Sequence, residues 1–205
     1  MPLDLAAARC GSLDRLATRG GVVLTALPPA SRFMLRGRPG AIQAAGGAFG
    51  GALPQQACRA AVAGARAMLW LGPDEWLLLA PEFEGDALTA ALEQAMNGQP
   101  HSLVDVSHRQ TGLEISGPDA AATLNVGCPL DLEPDAFPVA MCTRTVLAKA
   151  EIVLWRTAPM TFHIEVWRSF AAFVGRFLEE ASREFWISGR GVELMSRPTW
   201  SAGES

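Results

Sequence analysis

The sequence predicts an α+β protein in which one βαββα-type module is used twice. Three observations carry this prediction. "RFMLRGRPGAIQAAGG" and "TGLEISGPDAAATLNVG" share one order of features: strand, glycine, short proline-led helix, glycine. Each is followed by a loop and then a strand pair, "WLGPDEWLLLAP" or "LWRTAPMTFHIEVW", and each ends in a longer helix. The landmarks recur at near-constant offset, Gly37 to Gly117 by 80 residues and Gly85 to Ser169 by 84. The expected division is an N-terminal arm (1–20), a first module (21–100), a second module (101–187) that shares a sheet core with it, and a C-terminal tail (188–205).

Each element has a local reason. "GVVLTAL" (21–27) and "RFMLRG" (32–37) are β-branched or alternating runs separated by Pro28 and Pro29, hence strands around a turn. Pro39 suits the first turn of a helix and Gly46 its end. "ARAMLWLG" (65–72) and "EWLLLAP" (75–81) flank a Pro73-Asp74 turn. Leu88, Ala91, Leu92, Ala95 and Met96 repeat at helical spacing over 85–97, with Gly98 placed as a C-terminal cap. In the second half "TGLEISG" (111–117) alternates as a strand. Pro118 and Asp119 open a short helix that Gly127 ends. "TRTVLAKAEIVLWRTA" reads as a strand pair without an evident tight turn, and "TFHIEVW" (161–167) as another strand. The last helix sets Phe170, Phe173, Val174, Phe177, Leu178, Ala181 and Phe185 on one face.

Composition excludes several classes. Of 205 residues 49% are hydrophobic and 19% charged, and the net charge of −4 is mild, which fits a folded globular chain. Lys149 is the only lysine and no basic cluster exists, so nucleic acid is not an expected partner. No run approaches eighteen apolar residues, so no membrane span is expected. Asp4 stands where an export signal needs positive charge, and a cytoplasmic location is the expectation. Cys10, Cys58, Cys128 and Cys142 are scattered, without a CxxC pair, and read as small buried hydrophobes of a reducing compartment. His101, His108 and His163 add no ligand spacing that zinc would need.

Catalytic motifs are rejected on chemical grounds. "GGAFGG" (46–51) follows a helix, whereas a dinucleotide-binding loop must precede one. No Gly-Lys pair exists for a P-loop. Asp105, Ser107 and His108 lie too close in sequence to hydrogen-bond in series as a triad, and Ser107 lacks a nucleophile elbow. Asp105 and His108 are read instead as a structural corner tying a strand end to a turn. Glu114, Glu151 and Glu165 are expected to face solvent or form salt bridges, and His163 to be a cross-strand polar partner. Trp155-Arg156 and Trp167-Arg168 pair the residue types that anchor protein interfaces, so all four are candidate partner contacts. No residue is assigned a catalytic, cofactor-binding or metal-binding role.

The run "VDVSHRQTGLEISGPDAAATLNVGCPLDL", continued through "FPVAMCTRTVLAKAEIVLWRTAPMTFHIEVWRSFAAFVGRFLEE", resembles the gamma subunit of heterotetrameric sarcosine oxidase. "LGPDEWLLL" fits the same family, so the resemblance spans about residues 20 to 186. That family is itself similar to the folate-binding half of aminomethyltransferases. The resemblance implies an aminomethyltransferase-like fold of two ferredoxin-like modules. It also implies a non-catalytic chain assembled with alpha, beta and delta subunits. FAD, FMN, NAD and tetrahydrofolate would then sit on those partners, where sarcosine is oxidatively demethylated to glycine and tetrahydrofolate takes the one-carbon unit. A folate-binding, aminomethyltransferase-like domain is the other expectation the resemblance allows.

Overall fold

In the strand Glu75–Pro81 every residue but the last is buried, so this strand must be covered on both faces. Trp76, Leu78 and Ala80 enter one apolar cluster and Leu77 and Leu79 another, the two-residue alternation of a pleated strand. The computed structural model that shows this describes residues 18–189 apart from Gly20. The expected arm lies largely outside the described residues, as does most of the tail.

In chain order the elements are β1 (Thr18–Arg19), β2 (Val22–Ala26), β3 (Ala30–Gly37), α1 (Pro39–Phe49), β4 (Ala60–Ala63), β5 (Arg66–Gly72) and β6 (Glu75–Pro81). A 3₁₀ turn (Glu82–Glu84) leads into α2 (Gly85–Ala95), β7 (His101–Asp105), β8 (Gln110–Ser116), α3 (Ala120–Asn125), β9 (Cys142–Leu147), β10 (Ala150–Ala158), β11 (Thr161–Trp167) and α4 (Arg168–Gly189). The strands form two antiparallel sheets, ordered β4-β5-β6-β3-β7 and β1-β2-β8-β11-β10-β9. The α+β class is as expected, but the halves exchange strands. β2 precedes β3 in the chain yet pairs with β8, and β7 leaves its successors to pair with β3. A cut at residue 100 therefore does not separate the sheets, and the modules hold two sheets rather than one shared one.

Three apolar layers explain the architecture. Helices α1 and α2 cover one sheet through Ile42, Phe49, Leu88 and Leu92. Helices α3 and α4 cover the other through Leu124, Val174 and Leu178. Between the sheets, Ala67, Leu69, Leu77, Leu79, Val106, Cys142 and Val153 form a third cluster drawn from both. Helices thus lie outside and the sheets face each other.

Local differences from the expectation have plain causes. Helix α1 runs past Gly46 and is capped by Gly50, whose φ of 98° is left-handed and whose N–H bonds to Gly46 O. Gly46 is needed for close packing instead: a Cβ there would lie 2.9 Å from Gly51 O. The β9–β10 hairpin does have a two-residue turn, Ala148-Lys149, since Leu147 pairs with Ala150. Ala148 takes φ of 53° without the Asn or Gly such a turn usually shows. Helix α2 is capped by Met96, and Gly98, the expected cap, sits two residues further on in the turn at φ 75°.

Candidate functional site

Charge meets charge where the two sheets face each other. By alternation Arg32 and Met34 of β3 point away from the Phe33/Leu35 core. On β11, His163 and Glu165 point away from the Phe162/Ile164 core. This brings Arg32 to Glu165. The guanidinium Nε donates to Glu165 Oε2 at 2.6 Å and an NH2 to Oε1 at 3.1 Å. Side-chain exposure is 3% for Arg32 and 0% for Glu165. The third arm of Arg32 donates to Ala30 O at 3.0 Å, and His163 Nε2 lies 2.7 Å from Glu165 Oε1, so the imidazole donates there. Burial opposes the charge on Glu165, but the His163 hydrogen bond and the Arg32 charge outweigh it and hold the carboxyl below its usual range. Gly112 of β8 makes the room, since a Cβ there would lie 3.1 Å from both partners.

Two clefts open beside this cluster, of about 480 and 580 Å³, and Glu165 borders both. The first is of mixed character, its charged and polar edge made by Glu75, Arg109, Gln110 and Arg144 beside Val106, Val153 and Trp167. Arg144 grips Glu75 with two bonds of 2.7 and 2.8 Å, and Arg36 adds a third at 3.0 Å. The Arg144 hydrogen bond chiefly, with Arg36, lowers the Glu75 carboxyl to about 2 against the cost of burial. The second cleft is mostly apolar, edged by Leu27, Pro28, Pro29, Leu79 and Trp155.

The segment Asp105–Arg109 carries the chain from β7 in one sheet to β8 in the other. Ser107 N–H donates to Asp105 Oδ1 at 2.8 Å, and Ser107 Oγ accepts from Arg32 N–H at 2.8 Å. Val106 N–H donates to Arg32 O, and Gln110 N–H to Val106 O. His108 contributes its carbonyl, 3.4 Å from an Arg168 guanidinium nitrogen.

The four candidate interface residues do not come together. Trp167, 37% exposed, carries the Arg109 guanidinium on its ring at 3.9 Å. Arg168, exposed at the start of α4, ties its N–H to Arg109 O. Trp155 instead faces His163 between the sheets, with ring centroids 5.7 Å apart and Nε1 buried without a partner. Arg156 corrects the expectation of a surface anchor: it is 4% exposed, and its guanidinium donates to Leu132 O, Phe137 O and Pro159 O. Alternation gave the signal, because Arg156 shares the inward face of Ile152 and Leu154. Glu165 forms a salt bridge, one of the two roles expected for it, but neither its partner Arg32 nor the burial of the pair was foreseen. Among the described residues no cluster of three His, Cys, Asp or Glu is placed to hold a metal, and no helix is long and apolar enough to cross a membrane.

This geometry has relatives. The sarcosine oxidase, gamma subunit family matches residues 37–184. The chain is 38% identical over 172 residues to the sarcosine oxidase subunit gamma of an Arthrobacter species, covering 82% of this chain and 84% of that one. Identity is again 38%, over 174 residues, to the subunit gamma of Corynebacterium strain P-1, with the same coverage of both chains. A chain of the heterotetrameric sarcosine oxidase from Corynebacterium U-96 superposes with a TM-score of 0.77 at 34% identity, covering 89% of this chain and 93% of that one. The aminomethyltransferase T of the Bartonella henselae glycine cleavage system shares the fold at 16% identity, with a TM-score of 0.62 over 89% of this chain and 50% of that one. The chain belongs to the sarcosine oxidase gamma subunit family.

Proposed function

We propose that this chain serves as the gamma subunit of a heterotetrameric sarcosine oxidase. It acts there as an accessory chain with no catalytic residue and no cofactor of its own. Its alpha, beta and delta partners hold FAD, FMN, NAD and tetrahydrofolate. On them sarcosine is demethylated to glycine in the cytoplasm and the one-carbon unit passes to tetrahydrofolate. The observation that carries this reading is the 38% identity to subunit gamma chains across more than four-fifths of both sequences. The central carboxylate supports it too: Glu165 engages both oxygens with Arg32 and His163 and is fully buried, so its function is to clasp the sheets. The docking surface is the rim where Trp167, Arg109 and Arg168 meet, since a half-exposed tryptophan under an arginine is a strong interface anchor.

A second reading, a folate-binding domain acting alone, is favoured by one feature, the apolar cleft of about 580 Å³, a ligand-sized space. Co-expression with the candidate partner subunits decides between the two. The first reading expects a tagged chain to bring down a flavin-coloured complex and the isolated chain to bind no tetrahydrofolate. Saturable tetrahydrofolate binding by the isolated chain, with no complex recovered, would establish the second.

A further inference from the structure

One seam between the sheets carries two thiols. The chain entering β4 runs antiparallel to the chain entering β9, and Arg59 and Met141 form a β-bridge there. Ala60 N–H donates to Ala140 O at 2.8 Å and Cys142 N–H to Cys58 O at 3.0 Å. That register sets Cys58 directly opposite Cys142. The pair shares the one bond from Cys142 N–H, and Cys58, at φ 57°, turns out of the extended ladder there; residues opposed at a hydrogen-bonded position have Cα atoms about 5.5 Å apart, within the roughly 4.4–6.8 Å that a disulfide spans. Both cysteines are unpaired, Cys58 partly exposed and Cys142 fully buried. Burial, reinforced by the neighbouring Cys58 thiol, pushes the Cys142 thiol up to about 12.

We propose that Cys58 and Cys142 are a redox-responsive pair that closes into a disulfide across the sheet seam when a two-electron oxidant such as a peroxide is present. Cys58, the accessible sulfur, attacks the peroxide. The O–O bond breaks, Cys58 becomes a sulfenic acid, and water or an alcohol leaves. Cys142 Sγ then gives up its weak contact with Trp70 O, 3.5 Å away, loses its proton and attacks the Cys58 sulfur. The S–S bond forms as hydroxide departs and takes that proton as water. The thiols lose two electrons and the peroxide gains them. The bond would fix the rims of both clefts, because β4 brings Val62 to one and β9 brings Arg144 to the other. This inference does not depend on the oxidase reading.

The test uses the full chain, treated with hydrogen peroxide or oxidised glutathione, then denatured, alkylated and digested with trypsin. Cys58 falls in the fragment 37–59, whereas Cys128 and Cys142 share the fragment 110–144, so a Cys128→Ser variant is needed. The expected result is a 37–59/110–144 linkage in wild type and in Cys128→Ser, reversed by dithiothreitol, with two of the four thiols lost. The linkage should vanish in Cys142→Ser, and its survival in Cys128→Ser decides the matter should the buried Cys142 substitution not fold. Four thiols still titratable after oxidation, or a linkage that is lost in Cys128→Ser, overturns the proposal.

Discussion

Replacing Glu165 with leucine leaves the Arg32 guanidinium buried between two apolar sheets with a single hydrogen bond, to Ala30 O. Breaking a buried pair by removing one partner costs about 3–5 kcal/mol, because the remaining charge has no compensation. The freed His163 proton adds a smaller loss. For a domain of this size each kcal/mol moves Tm by about 2–4 °C, so Glu165→Leu should lower the melting temperature by roughly 6–20 °C. Arg32→Met alone should cost somewhat less, because Glu165 keeps its hydrogen bond from His163. The double variant Arg32→Met/Glu165→Leu removes both charges at similar volume and should lie within about 1–2 kcal/mol of wild type. Thermal and urea unfolding of the four proteins, followed by circular dichroism, give the coupling energy directly. A Glu165→Leu variant that melts like wild type would refute the cost of the stranded charge, as would a double variant as unstable as the sum of the singles.

The rim pair Glu75–Arg144 is screened by water, since Arg144 and Arg36 are 48% and 59% exposed, so Glu75→Gln should cost only about 1 kcal/mol at neutral pH. Its folded carboxyl titrates near 2, below the ordinary 4.5. The contribution is therefore present above about pH 4.5 and lost as pH falls toward 2; a wild-type-minus-variant gap that widens on acidification would contradict this. Gly112→Ala sets a methyl 3.1 Å from Arg32 and Glu165 and should cost about 1–3 kcal/mol by overpacking, measured by denaturant midpoint. Substituting Trp167 and Arg168 by alanine together should reduce recovery of the assembled complex while leaving its KM for sarcosine unchanged; an altered KM with assembly intact would mean the rim touches the reaction. His108→Ala should leave turnover of the assembled enzyme within about twofold, because a positioned general acid or base is worth about 100-fold or more.

Periodicity made much of this fold legible. "EWLLLAP" emerges as β6 with its bounds unchanged, and the helix bearing Phe170, Phe173 and Phe177 packs that face on the second sheet. Features set by distant partners were not legible. The Ala148-Lys149 turn lacks a turn residue because the backbone there is held from outside, by Ala148 N–H donating to Gly127 O. Strand β4, "AAVA", offers little apolar contrast and is positioned by pairing with β5. At the site, Arg32 and Glu165 stand 133 residues apart, and only the facing of two sheets joins them. Glu165 could have been suspected, since a strand buried on both faces leaves no solvent side for a carboxylate.

The exchanged strands have a consequence for how the chain is made. β2 leaves the ribosome early, but its partner β8 follows roughly ninety residues later, Leu24 meeting Ile115. At typical synthesis rates that is a wait of about 5–20 seconds, during which Val22 and Leu24, buried in the finished sheet, have nothing to lie against. The five-stranded sheet can close as soon as β7 emerges, and the β7–β8 corner then stays anchored to Arg32 while the second sheet is still being synthesised. A nascent chain stalled before β8 should therefore hold one finished sheet beside an aggregation-prone strand paired only with the two-residue β1, which makes β2 the segment in most need of a chaperone.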